Sequence, residues 1–121
     1  MKGYKQLDAW QITMDLVEQV YLLTKDYPKE DIFGLTSQTK RAAISVPANI
    51  AEGIGRQYKK DTLQFLHIAR GSLYELETLF MIAVRVGSLT DKKFQPAASL
   101  VEKAMQVLNG LINYYKRADQ K

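Results

Sequence analysis

Residues 61–86 read DTLQFLHIARGSLYELETLFMIAVRV, and within them Leu66, Ala69, Leu73, Leu76, Phe80 and Ala83 recur at alternating steps of three and four. That spacing lines one side of an α-helix for almost three heptads. Asp61 precedes Gln64 by three positions, the spacing of a capping box with the acid as N-cap. Gly87 follows the last apolar positions, where a helix C-cap is expected. The stretch predicts a helix over 61–86 whose continuous apolar face needs other helices to cover it.

Three further segments supply them. Residues 8–24 open on Asp8, with Gln11 at capping-box spacing, and stop ahead of Asp26-Tyr27-Pro28, because the residue before a proline is biased away from helix. Trp10, Met14, Val17 and Tyr21 step by four, three and four, and Leu16, Val20 and Leu23 widen that line into a core-facing stripe. Residues 36–54 start at Thr36-Ser37 and end at Gly53 and Gly55, with Leu35, Ala42, Ala43, Ile44, Val46, Ile50 and Ala51 on the apolar side. Pro47 lies inside this segment and predicts a kink, since it removes a backbone donor. Residues 91–118, capped by Thr90-Asp91, repeat the pattern at Ala97, Val101, Ala104, Leu108, Leu111 and Tyr115. Pro96 is expected to bend or detach their first turn. With no alternating strand pattern of useful length, the expectation is an all-α protein. Its short connections favour an antiparallel up-and-down four-helix bundle forming one domain over residues 1–121.

Composition narrows the chemistry. The chain is 46% hydrophobic and 25% charged, values that argue against disorder. It has no cysteine, which removes disulfides, thiolate metal sites and cysteine nucleophiles together. The longest apolar run, Leu76 to Val84, is broken by Glu77 and falls far short of the roughly 20 residues of a membrane span. The first residues, MKGYKQ, hold no secretory apolar core, so the expected location is cytoplasmic, away from any membrane.

No constellation suggests catalysis. His67, the single histidine, has Leu63, Arg70, Gly71 and Tyr74 at helical spacing, none a carboxylate, and reads as a boundary or surface residue. Glu75 and Glu77 are two apart and point to different sides of a helix. Asp15 and Glu18 could face together, yet no Glu-x-x-His pair accompanies them. Gly53-Ile54-Gly55-Arg56 lacks the Gly-x-x-x-x-Gly-Lys-Ser/Thr pattern and follows a helix where a phosphate loop follows a strand. The expectation is a protein that is not an enzyme and takes neither cofactor nor metal. More unusual are Ser45, Asn49, Glu52 and Arg56, spaced four, three and four along one helix face. Either they form a polar network locking the helix ends, or they present a contact surface to another subunit or a ligand.

Charge is the remaining signal. There are 17 basic and 13 acidic residues, a net of +4. Between Thr36 and Lys60 stand five basic residues, Lys40, Arg41, Arg56, Lys59 and Lys60, against Glu52 alone, so this stretch carries the whole excess. Tyr58 sits among them and could stack on an exposed base. Lys40-Arg41 and Arg56 are about 15 residues of helix apart, roughly 22 Å, and need not form one patch. Lys116-Arg117 with Lys121 make a second, smaller basic end. Such a footprint fits phosphate contact, and no helix-turn-helix, RRM or KH signature points to base-specific reading.

The stretch Leu35-Thr36-Ser37-Gln38-Thr39-Lys40-Arg41-Ala42-Ala43-Ile44-Ser45-Val46-Pro47-Ala48-Asn49-Ile50-Ala51-Glu52-Gly53 resembles the signature of four-helix bundle proteins encoded in intervening sequences of bacterial large-subunit (23S) ribosomal RNA genes. Trp10-Gln11, Tyr27-Pro28-Lys29-Glu30, Phe65-Leu66 and the run from Ala69 to Glu77 agree with it, while Thr39 stands where an aliphatic residue is more usual. The resemblance covers about Tyr4 to Leu89, and the last helix less distinctively. It implies kinship with the accessory proteins of diversity-generating retroelements, which form pentameric barrels with a basic surface and bind nucleic acid and a reverse transcriptase. By that resemblance the chain is expected to be a homo-oligomer, a pentamer, with RNA or DNA and a protein as partners. Ser45, Asn49, Glu52, Arg70, Gly71 and Glu75 fall in the signature stretches and become candidates for a structural or interface polar face, beside the nucleic-acid candidates Lys40, Arg41, Arg56, Tyr58, Lys59 and Lys60. Gly71 inside a good helix costs about 1 kcal/mol against alanine, which close approach of another helix would offset. Leu22, Ile82 and Ile112 are expected to want a covering partner.

Overall fold

The computed structural model describes residues 3–118, and they form four long helices: α1 (Asp8–Thr24), α2 (Ser37–Ile54), α3 (Lys59–Val86) and α4 (Asp91–Ala118). Contacts between neighbours run in opposite directions along the chain. Lys40 meets Tyr21 where α1 ends and α2 begins, whereas Ala51 meets Trp10 near the other end of both helices. On α3, Arg70 bonds Asn109 and Phe80 packs near Phe94, so later residues of one helix meet earlier residues of the next. α1 also packs on α4, closing an antiparallel up-and-down four-helix bundle. No helix among the described residues is long and apolar enough to cross a membrane.

The heptad stripe of α3 is the core. Leu66, Ala69, Leu73, Leu76, Phe80 and Ala83 are all fully buried. Gly87 takes the left-handed conformation (φ 86°), and Ser88 N–H reaches back to the Ala83 carbonyl, closing a Schellman turn over which Leu89 is buried. α3 begins at Lys59, two residues ahead of the expected start; Tyr58 is its N-cap and Asp61 lies within the first turn without a capping bond. Asp8 likewise makes no cap bond, and Gln11 instead donates to the Lys5 carbonyl. The expected cap at Thr90 does form, its Oγ1 accepting from Lys93 N–H.

Three core assignments change. In α1 the buried line is Ala9, Thr13, Leu16, Val20 and Leu23, while Met14 and Tyr21 are more than two-fifths exposed and Trp10 and Val17 half-buried. Thr13 can be fully buried because its hydroxyl donates to the Ala9 carbonyl, as Thr24 and Thr39 do to Val20 and Leu35. In α4, Ile112 and not Leu111 lies in the core. Gly53 is a packing glycine more than a terminator. A Cβ there would stand 2.8 Å from Phe65 Cβ, and the buried Thr62 hydroxyl donates to its carbonyl at 2.7 Å. Both prolines are carried inside continuous helices, so the first turn of α4 is not detached by Pro96.

Candidate nucleic-acid interface

The antiparallel path sends the end of α2, the start of α3 and the end of α4 to one end of the bundle. Ile54, Arg56, Gln57, Lys59, Tyr114 and Ala118 line one shallow cavity there. Lys59, Lys60, Lys116 and Arg117 are exposed around it, as is Tyr58. The basic pair of α4, a separate patch when read along the chain, thus joins the one at the α2–α3 turn, while Lys121 lies outside the described residues. Tyr114, about half exposed and set edge-on to Tyr115, adds an aromatic face that spacing did not single out. Asp8 and Asp61, at the starts of α1 and α3, and Glu52 dilute the charge at this end without cancelling it.

Arg56 is the least free of the cations. Its guanidinium pairs with Glu52 at 2.8 Å and lies 4.7 Å from the centre of the Phe65 ring. Both partners of the pair are about half exposed, so it is a weak surface bridge. Lys40 and Arg41 do not join this end. Lys40 sits over the Tyr21 ring at 4.6 Å beside α1, and Arg41 lines a polar groove between α2 and α3 with Gln38, Ser45, Ser72 and Glu75.

The expected polar face divides in the same way. Ser45 Oγ shares a 2.8 Å hydrogen bond with Ser72 Oγ, and Asn49 Nδ2 donates to both Ser45 Oγ and the Ser45 carbonyl. This network ties α2 to α3. Arg70 lies on the other side of α3, donating to Asn109 Oδ1 on α4 at 2.9 Å and standing 3.1 Å from His67 Nδ1. Partial desolvation, then the positive charges of Arg70 and Lys116, lower the His67 pKa. Gly71 is exposed with open space where its Cβ would be, so no helix of this chain approaches it closely. Among the described residues, no group of three His, Asp or Glu side chains is placed to hold a metal ion.

An apolar groove and a mixed stripe, with a carboxylate in its middle, complete the exterior. Tyr4, Trp10, Met14, Val17, Ile44, Pro47, Ala48 and Ala51 line an open groove of about 320 Å3 between α1 and α2. On α3, Ile68, Gly71, Glu75, Thr78 and Ile82 form an outward stripe at steps of three and four, with Ile68 and Ile82 more than two-fifths exposed.

A family model described as 23S rRNA-intervening sequence protein matches residues 5–110, from the first turn to the last third of α4. No curated protein matches the chain.

Proposed function

The chain belongs to the 23S rRNA-intervening sequence protein family, and on that premise we propose that it acts without catalysis, as a homo-oligomer that binds structured RNA or DNA through phosphate contacts. The observation that carries this reading is the convergence of Lys59, Lys60, Lys116 and Arg117 at one end of the bundle, beside Tyr58 and Tyr114. Ammonium and guanidinium groups on that rim supply the sequence-independent attraction to phosphate, and the two tyrosines supply stacking faces. Arg56 contributes once phosphate displaces Glu52, a small cost for an exposed pair.

Self-association multiplies this field. The α1–α2 groove and the outer α3 stripe are different surfaces of one chain, so a contact between them is head-to-tail and generates a ring when the rotation closes. A ring, five-membered by the family resemblance, repeats each protomer's basic end around its axis and strengthens the local potential. Light scattering should then give a single mass that is a multiple of 13.8 kDa. Anisotropy titrations of labelled RNA hairpins and DNA duplexes at two salt concentrations test the binding itself. Saturable binding that weakens steeply with salt supports it, and no binding at low salt overturns it.

The apolar character of the α1–α2 groove favours a second reading, in which it docks a partner enzyme such as a reverse transcriptase and the basic end only steers the encounter. Changing Arg56, Lys59 and Lys60 to glutamine separates the two. Nucleic-acid binding is lost under the first reading, and a partner complex survives largely intact under the second.

A further inference from the structure

Arg70 is a half-buried cation without a counter-charge. It lies in the seam between α3 and α4, where Nη1 donates to Asn109 Oδ1 at 2.9 Å and Nη2 stands 3.1 Å from His67 Nδ1. Among the described residues the ion pairs are Arg56 with Glu52 and Lys93 with Asp26, so neither Arg70 nor Lys116 meets a carboxylate. Charges taken partly out of water are ordinarily paired. An arginine fixed by an amide oxygen and left without an anion is set to receive one. His67 Nδ1 accepts in its contact with Arg70, because a guanidinium has only N–H donors to offer. That contact holds the neutral ring, with its proton on Nε2. The charged groups facing the ring are Arg70 on its own helix and Lys116 across on α4, both cations. Desolvation and then these two charges keep its pKa below the ordinary histidine value, the direction of a cation-lined place that lacks its anion. The cluster is continuous with the basic rim. His67 stands seven residues after Lys60, two turns or about 10 Å along the same side of α3, and Lys116 belongs to both groups.

We propose that the α3–α4 seam at Arg70 takes one backbone phosphate of a bound strand, and that His67 gains a proton from solvent as it does. The site rests on the reading that the chain binds a phosphate backbone, and it carries that contact down α3 from the rim. A phosphate oxyanion beside Arg70 and His67 reverses the local field and favours the imidazolium. Once Nδ1 carries a proton it no longer accepts from Arg70. Nη2–H is then released toward the anion, while the Nη1 bond to Asn109 keeps the guanidinium in place. One proton thus turns two groups from partners of each other into donors to one ligand. The open seam would hold a free anion weakly, but a strand anchored on the rim delivers its next phosphates at high effective concentration. His67 is the single histidine of the chain, and histidine is the side chain whose ordinary pKa falls between pH 5 and 8. Binding should therefore tighten on acidification through this range, chiefly by way of this ring.

The test is an anisotropy titration of the full chain with a DNA duplex carrying a pH-insensitive dye, at fixed low salt and at pH 5.5 and 7.5. Beside it, the ring resonance of His67, unambiguous as the single histidine, is titrated with pH by NMR with and without the unlabelled duplex. Binding about tenfold tighter at pH 5.5 is expected. The midpoint of the ring resonance should lie about one pH unit higher with the duplex than without, since one pH unit and a tenfold change in affinity are the same free energy. His67→Gln should bind as the wild type does at pH 7.5 and lose most of the gain at pH 5.5. Arg70→Gln should bind more weakly at both values and have a salt slope shallower by about 0.9. The wild-type resonance needs no variant, so the test survives a substitution that fails to fold. Binding with equal affinity at both pH values and an unmoved ring midpoint overturns the site and leaves the rim reading standing. So does a pH gain that persists in His67→Gln, or wild-type affinity and salt slope in Arg70→Gln. No binding at either pH overturns both readings together.

Discussion

Gly53 and Gly71 stand on neighbouring helices, and the same substitution should act on them in opposite directions. A Cβ at Gly53 would press on Phe65 Cβ and the Thr62 carbonyl, whereas one at Gly71 meets open space. Gly53→Ala is expected to destabilise by roughly 1–3 kcal/mol through overpacking. Gly71→Ala should stabilise an isolated protomer by about 0.5–1 kcal/mol, because alanine is the better helix former. Chemical denaturation of both variants checks the pair, and a destabilised Gly71→Ala would mean that a second copy packs on that position. Tyr27 gives a pH signature of its own. Its folded pKa of about 12 lies above the ordinary phenol value of 10.0, so its contribution to stability is fully present below about pH 10 and is lost as pH rises through 12. Two pH units correspond to about 2–3 kcal/mol. Tyr27→Phe should therefore flatten the alkaline fall in stability between pH 10 and 12, measured by urea denaturation across that range.

Within the helices, legibility followed the size of the side chains. The α3 stripe was readable position by position because Leu and Phe mark its core line and alanines fill the close approaches. In α1 the bulky Trp10, Met14 and Tyr21 drew the expected face toward α2, but the buried line runs through Ala9, Thr13 and Leu16. Threonine hides well in a helix when its hydroxyl bonds the carbonyl four residues back, and no pattern of hydrophobicity registers that. Likewise the small Gly53 reads as a stop until α3 is seen packed against it. The Glu52–Arg56 pair, by contrast, was visible from its spacing of four and is present. Because it is exposed, Glu52→Gln should change the melting temperature very little, an effect below about 1 kcal/mol. The same change frees Arg56 and should tighten nucleic-acid binding, measured by anisotropy at fixed salt.

Seen whole, the molecule gathers its basic side chains in a place that only the antiparallel path creates. Lys116-Arg117 lies far along the chain from Lys59-Lys60, yet both pairs crown one end of the bundle. Lys40 and Arg41, grouped with them by charge counting, are carried to the opposite half of α2 by a long stretch of intervening helix. The fold was thus legible from periodicity, and half of the charged site was legible from composition. The partition of the cations needed the packing of α4. On the proposed function, the rim of Lys59, Lys60, Lys116 and Arg117 holds phosphate. Its most direct measurement is the slope of log affinity against log salt for one labelled duplex, compared between the wild-type chain and the variant with all four residues changed to glutamine. Each lost phosphate contact should lower the steepness by about 0.9 on duplex DNA, so a markedly shallower slope and weaker binding are expected for the variant, with Lys40→Gln/Arg41→Gln retaining the wild-type slope. Equal slopes for the wild type and the rim variant would contradict it.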